Sequence, residues 1–295
     1  MNISLRQLKL FEATARLGRL TAAADEQAIS QSAASQALKE LESTLDYPLF
    51  QRVGRELVLT EAGRDALPRV GQILQLVESL RVPGCGSVGG PLRVAASVTI
   101  ASYLMPRLLA DFCELHPGVV PDLKIANTFK VIEALEKGRA HLGLIEGPAL
   151  HRHLQIIPWR EDRLEVFCHP QHPLALSGRL SIEQIRQQRW ILREEGSGTR
   201  AIFDAAVQKV RAQVRVTFAL NRQEAIKQSV KAGLGVGCLS QLSIAEEVAA
   251  GELVILRTPL ELSRRFSLVA QPLDRNNVLI QALIDFLGLQ WPETN

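Results

Sequence analysis

The chain has 295 residues, and its 34 Lys and Arg against 31 Asp and Glu give a formal net charge of +3. Apolar residues make up 46% of the sequence and charged residues 22%. This composition is typical of globular domains and excludes collagen-like and disordered chains. At roughly 100–200 residues per domain, the length predicts two or three domains.

The sequence favours a cytoplasmic protein without a membrane span. Its longest charge-free apolar stretch, residues 94–106, is shorter than the roughly 20 residues that a span requires. The N-terminus carries Arg6, Lys9 and Glu12 where a signal peptide has an unbroken apolar segment. The four Cys residues form no C-x-x-C pair, which favours reduced thiols over a disulfide framework.

The first part of the chain has a helical pattern. Apolar residues recur at helical spacing from Leu5, and Gly18 is a suitable C-cap for that helix. Thr21 is the predicted N-cap of a second helix and Ser30 that of a third. A tight connection at residues 28–29 makes these a helix-turn-helix. The apolar face of the third helix consists of Ala34, Ala37, Leu38 and Leu41.

Two short strands at residues 49–51 and 57–59 flank a glycine turn and predict a wing. Thr60 then opens a longer helix, predicted to reach about residue 81, which Pro68 should bend. Apolar residues on this helix follow the 4-3-4-3 spacing of a coiled-coil seam, which predicts pairing with a second subunit. The seam residues are Ala66, Val70, Ile73, Val77 and Leu80.

Residues 83–91 are rich in Gly and Pro and predict a linker. Beyond them strands alternate with helices in two similar rounds, which predicts a mainly parallel sheet and two similar α/β subdomains. We expect the final helix, 277–287, to return to the first subdomain. The other predicted elements are strands at 92–96, 122–127, 142–145, 190–193, 214–220 and 236–239, and helices at 100–116, 129–137, 199–210 and 224–232.

The start of the third helix carries the candidates for DNA contacts. A recognition helix needs small or polar residues there, so that its backbone can enter the major groove. Gln can bond adenine twice, Ser can bond bases or phosphates, and arginines on a wing suit phosphates or the minor groove. A polar, merely solvated helix face is the alternative. The predicted DNA-binding residues are Gln31, Ser32, Ser35, Gln36, Arg52 and Arg55.

The segments LGRLTAAADEQAISQSAASQALKELE and PLFQRVGRELVLTEAGR resemble the winged helix-turn-helix of LysR-type transcriptional regulators. The chain length, the coiled-coil helix and the doubled α/β half resemble this family too, and the last feature is shared with periplasmic binding proteins. The resemblance implies a DNA-binding regulator rather than an enzyme. It also implies tetramers built from dimers, and a small effector, commonly an anion, in the C-terminal cleft.

We therefore expect an α/β protein with three parts. A winged helix-turn-helix domain that binds double-stranded DNA occupies residues 1–60, and a dimerisation helix with a hinge occupies 61–90. The effector-binding domain, 91–295, resembles a type 2 periplasmic binding protein. Its first subdomain covers about 91–161 and 268–295, and its second covers about 162–267. Basic and acidic residues balance over the first 60 positions, so DNA affinity must come from placement and dimerisation.

Ligands of open α/β sheets bind beyond the carboxyl ends of the strands. Each subdomain has a Ser/Thr turn at such an end, and a hydroxyl beside a helix N-terminus favours an anion. Plain helix capping is the competing interpretation of each Ser and Thr. The candidate effector-binding residues are Ser97, Thr99, Asn127, Thr128, Glu146, Ser197, Gly198, Thr199 and Arg200.

Patterns typical of enzymes and metal sites are weak. Gly84-x-Gly86-x-x-Gly89 matches a dinucleotide-binding string, but it follows a helix and precedes a strand, so we interpret it as linker. The His and Cys residues lack the spacing of a zinc site, so we expect no metal and no cofactor. A cytoplasmic solute-binding or enzymatic α/β protein, with N-terminal helices that serve only assembly, remains the alternative.

Overall fold

The computed structural model describes residues 3–54, 56–79, 88–147, 151 and 153–292. Its N-terminal part consists of α1 (Leu5–Leu17), α2 (Leu20–Glu26), α3 (Gln31–Leu45), β1 (Phe50–Val53), β2 (Glu56–Leu59) and α4 (Glu61–Ser79). The first half of the C-terminal part contains β3 (Gly89–Ser97), α5 (Val98–Tyr103), α6 (Met105–Leu115), β4 (Gly118–Ala126), α7 (Thr128–Glu136), β5 (Leu142–Glu146) and β6 (Gln155–Cys168). It continues with α8 (Ile182–Gln187), β7 (Arg189–Arg193), α9 (Gly198–Lys209), β8 (Arg215–Leu220), α10 (Gln223–Lys231), β9 (Val236–Ser240), α11 (Gln241–Ala249), β10 (Val254–Leu256), β11 (Ser263–Ala270), a 3-10 turn (Pro272–Asn276) and α12 (Val278–Phe286).

Local capping sets the ends of the N-terminal helices. The predicted C-cap of α1 is confirmed, because Gly18 has the left-handed backbone (φ 72°) that glycine adopts without strain. Ser30 is confirmed as the N-cap of α3, since its hydroxyl accepts a hydrogen bond from the amide of Ala33 at 3.2 Å. Thr21 is wrong as the cap of α2: the helix begins at Leu20 after Arg19, and Leu20 packs against the apolar core of this region.

The wing is present with longer strands than predicted. β1 and β2 pair antiparallel, with Phe50 opposite Leu59 and Val53 opposite Glu56. Arg52 therefore lies within β1, opposite Leu57, rather than in the turn. Arg55 lies outside the described residues.

The helix α4 packs back onto the N-terminal core. It runs through Pro68 as one helix, and Leu80 lies outside the described residues. Val70 is wrong as a seam residue that would face a second subunit, because it is buried in the same core as Phe11 and Leu41. Farther along the helix, Ile73 is exposed.

Among the described residues, nine strands form one sheet in the order β4-β3-β5-β11-β6-β9-β7-β8, with β10 paired to β6. The pairs of β3 with β4 and β5, and of β7 with β8 and β9, are parallel. The pairs of β11 with β5 and β6, and of β6 with β9 and β10, are antiparallel. The prediction of a mainly parallel sheet is therefore wrong at the centre.

The two central strands, β6 and β11, were not predicted. The middle of β6 reads Arg-Glu-Asp-Arg over residues 160–163, and this charged run hides its strand pattern. The first part of β6 pairs with β11, whereas its last part pairs with β9. The expected subdomain limits, 161/162 and 267/268, thus fall inside these two strands, where the chain passes between the halves.

Two further differences concern the flanks of this sheet. The predicted helix over 100–116 is interrupted at Leu104, because Pro106 near the start of α6 has no N–H to bond the preceding turn. The last residues of the predicted linker, from Gly89, belong to β3. The return of the final helix is confirmed, since α12 packs on the core of the first half through Leu279 and Leu283.

Candidate functional site

The N-terminal end of α3 presents polar side chains to solvent. Gln31, Ser32 and Gln36 are exposed and Ser35 is half-buried, whereas Ala34 on the opposite side of the helix is buried. A row of small polar residues with a buried apolar back is what a helix needs in order to enter the major groove.

Some of these groups already make short-range hydrogen bonds. The hydroxyls of Ser30 and Ser32 lie 3.0 Å apart. The side-chain amide of Gln36 donates to Glu40 Oε1 at 2.9 Å. Arg52 is exposed on the wing strand β1 and adds a positive charge to the same N-terminal part of the chain. Gln31 and Ser35 are therefore the stronger candidates for direct base contacts.

The second site lies where the two α/β halves meet. Ser97 ends β3 and is the N-cap residue of α5, and Ser197 has the same position before α9. Both side chains are buried, and neither hydroxyl has a hydrogen-bond partner among the described residues. Plain capping therefore does not account for these two serines.

Thr99 and Thr199 are also buried, but their hydroxyls are bonded to distant groups. Thr99 Oγ1 accepts a hydrogen bond from the side-chain amide of Gln223 at 2.8 Å. Thr199 Oγ1 donates to Glu146 Oε1 at 3.2 Å. Both bonds join an element of the first half to an element of the second.

The guanidinium of Arg264 lies at the centre of this site, although Arg264 was not predicted to belong to it. Its Nε donates to Asp162 Oδ2 at 2.6 Å, and its Nη2 lies 2.8 Å from Glu146 Oε2. Its Nη1 donates to Thr199 Oγ1 at 2.9 Å, and Nη2 is 3.4 Å from Thr99 Oγ1. One buried side chain thus contacts both halves.

The cluster of Arg264, Glu146 and Asp162, which we call the cleft triad, is almost completely buried: each side chain is at most 1% exposed. Asp162 Oδ1 also accepts a hydrogen bond from Ser240 at 2.9 Å. One guanidinium against two carboxylates leaves a formal charge of −1. Buried charges are tolerated only when they are paired and hydrogen-bonded, so these groups depend on one another.

Backbone contacts hold the halves close together beside the triad. The amide of Phe129 donates to the carbonyl of Gly196 at 3.1 Å. At Gly198, a side-chain Cβ would lie 1.9 Å from the carbonyl oxygen of Glu146, so only glycine fits there. Gly198 therefore permits the approach of α9 to the end of β5.

The remaining predicted residues act around the cleft in other ways. Asn127 caps α7 by accepting from the Lys130 amide, and its Nδ2 donates to Glu194 at 3.1 Å. Thr128 Oγ1 donates to the carbonyl of Glu146. Arg200 pairs with Asp204 at 2.8 Å as an i, i+4 contact on α9, so its role in effector binding stays a prediction.

Glu194 joins the two halves through a charged group. Burial raises its pKa, but the hydrogen bond and the charge of Arg193 outweigh burial, so the net pKa lies below its ordinary value. Arg193 is buried, and its Nε lies 2.8 Å from Glu194 Oε2. Glu194 therefore remains ionised at neutral pH and can hold Asn127 across the interface.

Sequence reasoning missed Arg264, Asp162, Gln223 and Ser240. Arg264 and Asp162 face each other in the register of β11 and β6. Opposite charges at paired positions would have been the signal, but they are recognisable only once this pairing is known.

In the part of the chain that the structure describes, no group of three or more His, Cys, Asp or Glu residues could hold a metal ion. Cys113, Cys168 and Cys238 are free thiols, and burial raises the pKa of Cys168 to about 11. Over the same residues, no helix is long and apolar enough to cross a membrane.

Comparison with known families decides the identity of both parts. Residues 5–64 match the family described as bacterial regulatory helix-turn-helix protein, lysR family. Residues 86–291 match the LysR substrate binding domain. The chain belongs to the LysR family. It is a DNA-binding transcriptional regulator with a C-terminal effector-binding domain.

Individual relatives agree with this assignment. The chain is 39% identical over 261 residues, 88% of each chain, to the uncharacterized HTH-type transcriptional regulator YeiE of Escherichia coli K12. It is 32% identical over 290 residues, 97% of this chain and 95% of the relative, to the transcriptional activator CmpR of Synechocystis. The solved regulatory domain of Synechocystis CcmR, in complex with 2-PG, is 31% identical with a TM-score of 0.62 and covers 67% of this chain and 95% of that one.

Proposed function

We propose that this LysR-family regulator is not an enzyme, and that a small anion bound between its two α/β halves controls its sequence-specific binding to double-stranded DNA. The observation that carries the proposal is the pair of buried, unpartnered serine hydroxyls, Ser97 and Ser197, at equivalent helix starts in the described halves. Because DNA is its partner, we place the protein in the cytoplasm. We also propose the domain limits 1–60, 61–90 and 91–295.

For DNA, we propose base contacts from Gln31, Ser32, Ser35 and Gln36, and phosphate or minor-groove contacts from Arg52 and Arg55. A good bidentate side-chain contact discriminates against a wrong base by about 1–3 kcal/mol. A phosphate contact instead changes all affinities together and adds about one unit to the salt slope.

Fluorescence anisotropy with a duplex selected from a random pool, and with its scrambled version, tests this assignment across a salt series. We expect Gln31→Ala to weaken binding to the selected duplex about 10–100-fold and to change scrambled binding little. Arg52→Ala should weaken both and lower the salt slope by about one. Gln208→Ala, exposed on α9 in the other part of the chain, is the matched control. An unchanged ratio of selected to scrambled affinity in both Gln31→Ala and Ser35→Ala would contradict base readout.

We propose a homodimer formed through the outer face of α4, with tetramers implied by the family. Val70 is buried in the chain itself, but Ile73 is 44% exposed and Leu76 67% exposed, and the half-buried Val77 is adjacent. Positions 73, 76 and 77 share one helix face. Neighbouring apolar side chains on one face of a helix are best buried against a second helix.

Sedimentation velocity tests the dimer. Ile73→Asp with Leu76→Asp should reduce the assembly to monomers, because two charges would be buried at the seam. Leu176→Asp, at a side chain that is 99% exposed in a loop, introduces the same charge elsewhere and should leave the mass unchanged. A double variant with the mass of the parent would place the subunit contact elsewhere.

For the effector, we propose that Ser97, Thr99, Ser197, Gly198 and Thr199 surround the anion, with Asn127 and Thr128 at the edge. The regulatory domain of CcmR, which is 31% identical to this chain, was solved in complex with 2-PG. This likeness supports a small ligand of the same kind here. The N-terminus of α9 and the hydroxyls of Ser97 and Ser197, which have no hydrogen-bond partner among the described residues, favour a negatively charged ligand.

A thermal-shift series with sulfate, phosphate and 2-PG tests the anion site. A ligand at 100 times its Kd should stabilise the folded chain by about 2.7 kcal/mol. Ser97→Ala and Ser197→Ala should each reduce that shift, whereas Ser177→Ala, at an exposed loop hydroxyl, should not. If none of the three anions raises the Tm, or if both serine variants respond like the parent, the anion site is refuted.

A further inference from the structure

The two carboxylates of the cleft triad are not equivalent. Asp162 is fully hydrogen-bonded: Oδ2 accepts from Arg264 Nε at 2.6 Å, and Oδ1 accepts from Ser240. Asp162 and Arg264 are also opposite each other in the pairing of β6 with β11, so the sheet itself holds this contact in place. The bond between Asp162 and Arg264 therefore persists as long as the sheet does.

Glu146 is held less well. Its Oε2 lies 2.8 Å from Arg264 Nη2, yet among the described residues this oxygen has no partner with hydrogen-bond geometry. The other neighbour of Nη2, Thr99 Oγ1, is 3.4 Å away. Among the three Arg264 nitrogens, Nη2 thus makes the poorest hydrogen bonds. It is also the nitrogen that faces Glu146.

We propose that Glu146 is an internal competitor of the effector: an incoming anion takes the Nη2 side of Arg264 away from Glu146, while Asp162 keeps the guanidinium in place. This inference rests on the proposed anion site and adds to it the residue that sets its affinity. Arg264 becomes a ligand-binding residue, and Glu146 becomes a specificity-determining residue.

The charge of the cleft supports this exchange. The two carboxylates and the one guanidinium give the triad a formal charge of −1. This charge repels an incoming anionic effector in a site that excludes water. Without the Glu146 charge, the pair of Arg264 and Asp162 is neutral. The hydroxyls of Ser97 and Ser197, which have no partner in the part of the chain that the structure describes, remain for the ligand. Glu146 therefore lowers the affinity for anions and rejects those that bind Arg264 weakly.

The position of Glu146 links the exchange to the arrangement of the two halves. Its carbonyl oxygen accepts from Thr128 and lies against Gly198 at the start of α9, closely enough to exclude a Cβ there. Its carboxylate also accepts from Thr199 on the same helix. When the Glu146 side chain leaves Arg264, the contact between β5 and α9 changes with it, which is how ligand binding reaches the rest of the chain.

Isothermal titration of the full chain with inorganic sulfate and inorganic phosphate tests the proposal. Glu146→Gln removes the competing charge and keeps an acceptor for Thr199, so we expect its affinity for sulfate to exceed that of the parent at least tenfold. Asp162→Asn makes the same change in charge but leaves Glu146 beside Arg264, so we expect no comparable gain. Glu165→Gln, which removes a charge from the same strand β6 where Glu165 pairs with Arg163, is the control outside the triad.

The outcomes separate this inference from the proposed function. If the parent binds an anion and Glu146→Gln binds it no better, the competitor role is refuted and the anion site stands. If neither the parent nor Glu146→Gln binds sulfate or phosphate, the competitor role is refuted, and the thermal shift with 2-PG decides whether the anion site stands. Equal gains in Glu146→Gln and Asp162→Asn would indicate only a general effect of charge and would also overturn the proposal.

Circular dichroism checks the fold, and Glu146→Ala replaces the Gln variant if that variant is unfolded. Loss of the fold in both would make Glu146 a structural residue and refute its role as competitor.

Discussion

The N-terminal helices bury an almost entirely apolar core, whereas the cleft between the α/β halves buries a guanidinium and two carboxylates. In the first region, Phe11 and Phe50 meet edge to face with ring centroids 5.5 Å apart. In the second, Arg264 bonds to residues 65, 102 and 165 positions away in sequence. Apolar burial is non-directional, so its loss is local and graded. A buried charge cluster depends on every member, so the loss of one leaves the others uncompensated.

One of the two largest effects should follow from Arg264→Met, which keeps the bulk of the side chain but leaves Glu146 and Asp162 buried without their cation. We expect a loss of about 3–5 kcal/mol in the free energy of unfolding, measured by urea denaturation at neutral pH. Combining Arg264→Met with Glu146→Gln and Asp162→Asn should restore much of that stability, since the uncompensated charges are then gone. A loss below about 1 kcal/mol in the single variant would remove the contrast between the two regions.

Phe11→Ala is the corresponding change in the apolar region. Truncation of a fully buried Phe costs about 3–5 kcal/mol, through lost burial and the cavity that remains. Unlike the Arg264 variant, it should have no rescuing partner, and its effect should be the same at low and high salt. Tyr47→Ala, at an exposed side chain near the same helices, should change stability by less than about 0.5 kcal/mol. A strong dependence of the Phe11→Ala effect on salt would show that charges contribute to this core.

The same contrast explains which features the sequence predicted. The caps Gly18 and Ser30 act on atoms three or four residues away, so their residue types are sufficient to locate the helix ends. The polar start of α3 is equally local, and its exposed side chains could be recognised from helical spacing. The equivalent positions of Ser97 and Ser197 in the two halves were predictable as well, because the two rounds of strand and helix repeat the same turn.

The cleft triad was only partly predictable. Glu146 was a candidate at the end of a predicted strand, but Asp162 and Arg264 lie in β6 and β11, whose charged residues hide the strand pattern. Their contact depends on the antiparallel register of two strands about 100 residues apart. A register of this kind is set by the packing of the whole sheet, and propensity and spacing do not determine it.

Asp274 tests a buried charge outside the triad, in a crease that is also lined by Glu12, Pro68 and His141. Burial raises the pKa of Asp274 to about 7 from its ordinary 3.8. Because the folded chain then holds a proton that the unfolded chain has lost, stability falls as the pH rises from about 4 to 7. Asp274→Asn should remove this fall and be more stable than the parent by about 2–4 kcal/mol at pH 8.

Urea midpoints at pH 8, 6 and 4.5 check this prediction, with the exposed Asp285→Asn as the control for loss of a charge. His141 acts in the opposite direction: burial, and then the charge of Arg93, lowers its pKa to about 3. The stability that the neutral His141 contributes to the folded chain is therefore lost as the pH falls from about 6.5 towards 3. The Asp274→Asn variant should reveal that loss, and an unchanged pH profile would show that Asp274 is hydrated in the folded chain.

The smallest effect is expected where the N-terminal helices contact the effector domain. Glu12 on α1 lies 3.2 Å from Arg93 Nη1 on β3, and the two side chains are 15% and 29% exposed. A pair with this much access to water contributes about 0.2–1 kcal/mol and weakens as salt is added. A double-mutant cycle of Glu12→Gln and Arg93→Gln, measured by urea denaturation at low and high salt, should therefore give a coupling energy below about 1 kcal/mol at low salt and close to zero at high salt. A coupling of several kcal/mol that resists salt would mean that this contact behaves like the cleft triad.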